Sequence, residues 1–98
     1  MPPSLQLRTA KGGEGWPRGS VQTIKWLSGD MPIDATLRIV LFRNSTKIST
    51  LVYKRRVSSG SYKWALPTWL TPGSAYRIRI LCNDNPAHDA SNANFSIT

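Results

Sequence analysis

Apolar residues recur at every second position in segment after segment of this chain, and no stretch shows the three-and-four spacing of an amphipathic helix. The clearest case is Thr36-Leu37-Arg38-Ile39-Val40-Leu41-Phe42, rich in β-branched and aromatic residues. Clusters of Gly, Pro, Asn, Asp and Ser break the pattern at intervals of about ten residues, the punctuation of an all-β sandwich or barrel. Secondary structure is thereby restricted to short strands.

Seven strands are predicted: Leu5 to Thr9, Val21 to Leu27, Thr36 to Phe42, Thr46 to Tyr53, Ser61 to Leu66, Ala75 to Asn83 and Ala93 to Thr98. Asn44-Ser45 reads as a tight turn joining two of them in a hairpin, and Pro67 stops another because it cannot donate to a ladder. Lys11-Gly12-Gly13-Glu14-Gly15 reads as a loop carrying positive-φ positions, and Lys54-Arg55-Arg56 as part of a connecting loop. Period two places Ile24, Trp26, Leu37, Ile39, Leu41, Tyr62, Trp64, Tyr76, Ile78, Ile80, Phe95 and Ile97 inside. Their alternates, Thr23, Lys25, Arg38, Ser61, Lys63, Arg77, Arg79 and Ser96, then face water. Short strands with one dry and one wet face fit two antiparallel sheets packed together, an immunoglobulin- or fibronectin-III-like seven-stranded sandwich.

At 98 residues there is room for a single core and thus one domain spanning 1–98. A chain of this size buries about 65% of its unfolded surface, enough to dispense with staples, and one cysteine, Cys82, cannot form an internal disulfide. The immunoglobulin Cys, Trp, Cys signature is correspondingly absent. No apolar run approaches the roughly 20 residues of a membrane span, and Met1-Pro2-Pro3-Ser4 lacks the layout of a leader. The expectation is a module of a larger protein.

Gly13-Glu14, Trp16, Gly19, Ile24 and Trp26, then Gly60-x-Tyr62-x-Trp64-x-x-Pro67, Tyr76-x-Ile78-x-Ile80 and a closing Phe95-x-Ile97 form an ordered set over about Leu5 to Thr98. The set resembles the immunoglobulin-like domain of the Ser/Thr-rich GPI-anchored membrane protein family, which includes the N-terminal domain of yeast cell-wall β-1,6-glucan assembly proteins. The resemblance implies a non-catalytic, extracytoplasmic β-sandwich module of a cell-surface or secreted protein, acting as spacer or adhesion domain. It implies no binding residues, and Gly15, inserted between Glu14 and Trp16, departs from its pattern.

Ligand-binding candidates come from the residues themselves. Trp16 and Trp69 fall in loops, where a ring either caps an open end of the sandwich or stands exposed to stack on a sugar, as in a carbohydrate-binding module. Thirteen Lys+Arg against five Asp+Glu give a net charge of +8. Arg38, Arg77 and Arg79, with Lys54, Arg55 and Arg56, make a candidate polyanion face, against the alternative of charge scattered for solubility. Polysaccharide or neighbouring domains are the expected partners; nucleic acid is the weaker one, because no exposed aromatic row interleaves with the basic residues. Of two glycosylation sequons, Asn44-Ser45-Thr46 sits at a hairpin tip, whereas Asn94 falls within a predicted strand. No catalytic set is expected: Cys82 points inward and His88 lies in the following loop. One Cys and one His make no zinc site, and no cofactor is expected. Asn83, Asp84, Asn85 and Asp89 in one loop and Asp30 and Asp34 in another offer oxygen ligands for calcium only if the loops share an end, and turn formation explains them equally.

Overall fold

The computed structural model describes residues 3–9, 12–91 and 93–98, which leaves Lys11 of the glycine loop outside them. Among the described residues the strands are β1 (Ser4–Leu7), β2 (Gly15–Trp16), β3 (Val21–Gly29), β4 (Thr36–Arg43), β5 (Thr46–Arg56), β6 (Ser61–Ala65), β7 (Gly73–Cys82), β8 (His88–Ala90) and β9 (Phe95–Ile97), with a 3-10 turn at Val57–Ser59. The alternating segments build two layers. One sheet has the order β1-β3-β6; the other runs β2-β9-β7-β4-β5, with β8 also paired to β7. Every pairing is antiparallel except β2 with β9, where the early chain runs parallel to the last strand.

The core lies between the inner faces, as period two requires. Ile24 and Trp26 from β3 and Trp64 from β6 meet Leu37, Ile39, Leu41, Tyr76, Ile78, Ile80, Phe95 and Ile97 from the larger sheet, all buried. Tyr62 is only half-buried, because β6 is an edge strand; its hydroxyl donates to the Leu51 carbonyl at 3.3 Å. Leu5, Leu7, Trp16, Ala35, Val57, Leu66, Leu70 and Cys82 complete the cluster.

Three local devices hold the frame. Asn44 and Ser45 both have positive φ (50° and 65°), the backbone of a two-residue turn whose twist matches its flanking strands; it closes the β4–β5 hairpin. The 3-10 turn ends on Gly60 at φ 72°, and the Trp26 indole Nε1–H donates to the Val57 carbonyl at 3.0 Å, fastening that turn to the core. The Tyr76 hydroxyl donates back to the Thr71 carbonyl, five residues upstream, which is the tyrosine corner of immunoglobulin-like sandwiches.

Two sequence expectations change here. Among the described residues nine strands stand where seven are predicted, since β2 and β8 are too short to show a period. Lys54, Arg55 and Arg56 are the end of an 11-residue strand rather than a loop: β5 is an edge, where cations are tolerated and discourage sheet-to-sheet association. Three register shifts in the β4–β5 ladder add to that protection.

The strands also fix where the chain enters and leaves. Ser4 begins β1 opposite Gly29, the last residue of β3. Ile97 ends β9 opposite Gly73, the first residue of β7, on the side where Ala65 meets Val21 at the start of β3. Entry and exit are therefore at opposite ends of a body measuring 39 × 21 × 19 Å, whose long dimension is that of β5 at about 3.3 Å per residue.

Candidate functional site

A groove of about 950 Å³ crosses the outer face of the larger sheet. Its floor comes from outward positions of β4 and β7, Phe42, Arg77 and Arg79, with Phe42 directly opposite Arg77. Val40, opposite Arg79 in the ladder, is buried to 5% exposure although it points away from the core. The walls come from β8, through His88 and Ala90, and from the segment before β9, through Asn94. Asn44, at the tip of the hairpin, stands at the mouth.

Backbone groups under the groove are occupied. β8 pairs with Arg79 to Leu81 and β9 with Gly73 and Tyr76, leaving Ile78 between them. Buried Ser91 fills that gap: its Oγ accepts from Ile78 N–H at 2.8 Å and donates to the Ile78 carbonyl at 3.2 Å, and its own N–H donates to the same carbonyl at 2.9 Å. Recognition in the groove therefore falls to side chains. Arg77 Nε donates to Asn94 Oδ1 at 2.9 Å, which orients the guanidinium; its two terminal amino groups have no partner among the described residues. Arg79 is exposed and has no hydrogen-bond partner among the described residues. The nearby carboxylate of Asp89 is turned to the other sheet, where Oδ2 accepts from Leu7 N–H at 2.6 Å.

The residues singled out from the sequence separate into groups. Trp16 does not offer a stacking face: β2 carries it into the core at 6% exposure, edge-on to Trp64 and 5.2 Å from the Phe95 ring centroid. Trp69 is different, at 67% exposure in the loop between β6 and β7. The six candidate cations do not form one face. Arg38 shares the outer surface with Arg77 and Arg79 and donates to Asn83 Oδ1 at 3.0 Å. Arg55 instead wraps the edge towards β6, where Nε donates to the Ser61 carbonyl at 3.1 Å and the guanidinium lies 6.0 Å over the Tyr62 ring. Lys54 and Arg56 flank it around a separate shallow depression.

Asn44 is exposed at its turn, whereas Asn94 precedes β9 instead of lying within it. Cys82 is buried and faces the core, while His88 pairs with outward Leu81, so the two occupy opposite faces of one sheet. The two Asp/Asn loops do share an end, with Asn85 Nδ2 3.5 Å from the Met31 sulfur. Two of the side chains are engaged in bonds to neighbouring strands: Asp84 Oδ2 accepts from Thr36 N–H, and Asn83 donates to Thr36 and to the Tyr53 carbonyl. Among the described residues no group of three His, Cys, Asp or Glu side chains is placed to hold a metal. Sequence reasoning missed Phe42 and His88 as groove residues, since only the pairing of β4 and β8 with β7 brings them together.

Two packed sheets, a tyrosine corner, and a parallel strand tying the early chain to the last one define an immunoglobulin-like β-sandwich. The chain belongs to the Kre9/KNH-like N-terminal Ig-like domain family, whose model matches residues 9–97. Proteins of this family are cell-wall and secretory proteins associated with β-glucan assembly, and the domain is generally non-catalytic. No curated protein and no solved structure matched the chain.

Proposed function

We propose that the domain is a non-catalytic, extracytoplasmic spacer or adhesion module of a cell-wall or surface protein. The observation that carries this reading is the placement of β1 and β9, which start and finish at opposite ends of the 39 Å axis. A chain continued from both ends would thread the module lengthwise and hold whatever flanks it apart. Membership of a cell-wall-associated family supports the location. The test is an NMR titration of the labelled domain with soluble neutral β-glucan oligomers. A spacer gives no saturable shift at any residue. A second reading, a carbohydrate-binding module, is favoured by the exposed ring of Trp69, because soluble domains seldom leave large aromatics bare. Saturable shifts confined to Thr68 to Leu70, abolished in Trp69→Ala, would establish it in place of the spacer role.

A further inference from the structure

We infer that the groove on the outer face of the larger sheet is a binding site for an anionic saccharide, a sugar chain bearing carboxylate groups. The inference is independent of Trp69, which takes no part in the groove. Four features support it.

First, the charge is positive and available. Arg77 and Arg79 are two residues apart on β7, so both face outward, with backbones about 7 Å apart. Arg77 is held by Asn94 through Nε, which leaves the outer edge of its planar fork for a carboxylate, the partner this geometry fits best. Arg79 has no hydrogen-bond partner among the described residues, and Asp89, the acidic residue in the groove's lining, already accepts the Leu7 amide.

Second, the neutral polar groups suit hydroxyls. His88 Nδ1 lies 3.0 Å from the Pro86 carbonyl; a carbonyl only accepts, so this nitrogen carries a proton, and Nε2 can meet a sugar hydroxyl, which both donates and accepts. The Asn94 amide nitrogen remains a donor, since only its oxygen is engaged by Arg77.

Third, the half-buried Phe42 ring opposite Arg77 supplies one apolar surface in an otherwise polar site, against which the non-polar face of a sugar ring can lie. Fourth, Ser91 occupies the free edge of β7. An extended peptide cannot add to the sheet there by main-chain hydrogen bonds.

The test uses the labelled chain with a galacturonic acid hexamer, a neutral glucan hexamer, inorganic phosphate and a thymidine oligonucleotide, each at about 0.15 M salt, where long-range attraction between exposed charges is largely screened. The galacturonate should give saturable shifts centred on Arg77, Arg79, His88 and Asn94, and the neutral glucan none. Exposed Arg79→Gln, with an otherwise unchanged spectrum, should weaken binding about tenfold, the effect expected for losing one charge-assisted pair. Lys54→Gln, an equal charge loss outside the groove, should leave affinity within about twofold. The proposal is overturned if the two variants weaken binding equally, or if the shifts disappear at this salt. It is also overturned if phosphate or the oligonucleotide saturates the same residues as tightly as the galacturonate, or if the neutral glucan does. Shifts around Trp69 alone would bear on the carbohydrate-binding reading of that loop and refute this one.

Discussion

Replacing Trp26 by phenylalanine isolates the bond that ties the 3-10 turn to the core. The ring is buried at 3% exposure, and its Nε1–H reaches the Val57 carbonyl at 3.0 Å. That carbonyl also accepts the Gly60 N–H at 3.2 Å, so the variant leaves it with one partner and the loss stays near the ordinary value of about 1 kcal/mol. Contraction of the bicyclic ring costs a further 1–2 kcal/mol or so in contacts and residual cavity. The sum, about 2–3 kcal/mol, lowers the melting temperature by roughly 8–20 °C in a domain of this size. Trp64 is the matched comparison: it is buried at 4% exposure against Trp16, and its indole nitrogen has no hydrogen-bond partner among the described residues. Urea unfolding of Trp26→Phe and Trp64→Phe, followed by near-UV circular dichroism, should therefore differ by about 1 kcal/mol, the hydrogen-bond contribution. Equal losses for the two variants would show that the indole bond adds nothing and that ring packing alone secures the turn.

Four further substitutions probe local features of the frame. Ser91→Ala strands the Ile78 N–H in a buried gap and should cost about 1–3 kcal/mol; amide exchange at Ile78 should accelerate more than at its neighbours Arg77 and Arg79, and uniform acceleration would contradict the local account. Tyr76→Phe removes the corner bond to Thr71 while keeping the ring against Phe95, for an expected loss of about 1 kcal/mol in chemical denaturation. Gly60→Ala meets no atom within 4 Å and is penalised only for its φ of +72°, about 1–2 kcal/mol. Gly12→Ala would put its Cβ 2.7 Å from the Ala93 Cβ and 2.9 Å from the Ala93 carbonyl oxygen, so its melting temperature should fall further than that of Gly60→Ala.

Period two proved reliable where a strand has neighbours on both sides. Along β4 and β7 every predicted inward residue is buried, because a slip of one position would expose the whole apolar set at once. At the edges the rule weakens: Tyr62 on β6 is half-buried, and the basic end of β5 has the composition of a loop. Trp16 was ambiguous because β2 is two residues long, and its burial depends on a parallel pairing with Ile97, distant in sequence. The groove was partly legible. Arg77 and Arg79 follow from alternation on one strand, whereas Phe42, His88 and Asn94 join them only through three-dimensional pairing. Arg55 could not be placed from alternation, because the register shifts of the β4–β5 ladder separate parity from facing direction.

The opposed positions of β1 and β9 also govern how the domain responds to load. Tension applied through Ser4 and Ile97 acts along the strands, drawing β1 past β3 and β9 past both β2 and β7. Hydrogen bonds arranged this way are strained together, not opened one after another as when a hairpin is peeled from its tip. Resistance to extension is then set by the unfolding barrier and not by equilibrium stability, so the β2–β9 ladder, only two residue pairs long, becomes a clamp that must yield before the sandwich can lengthen.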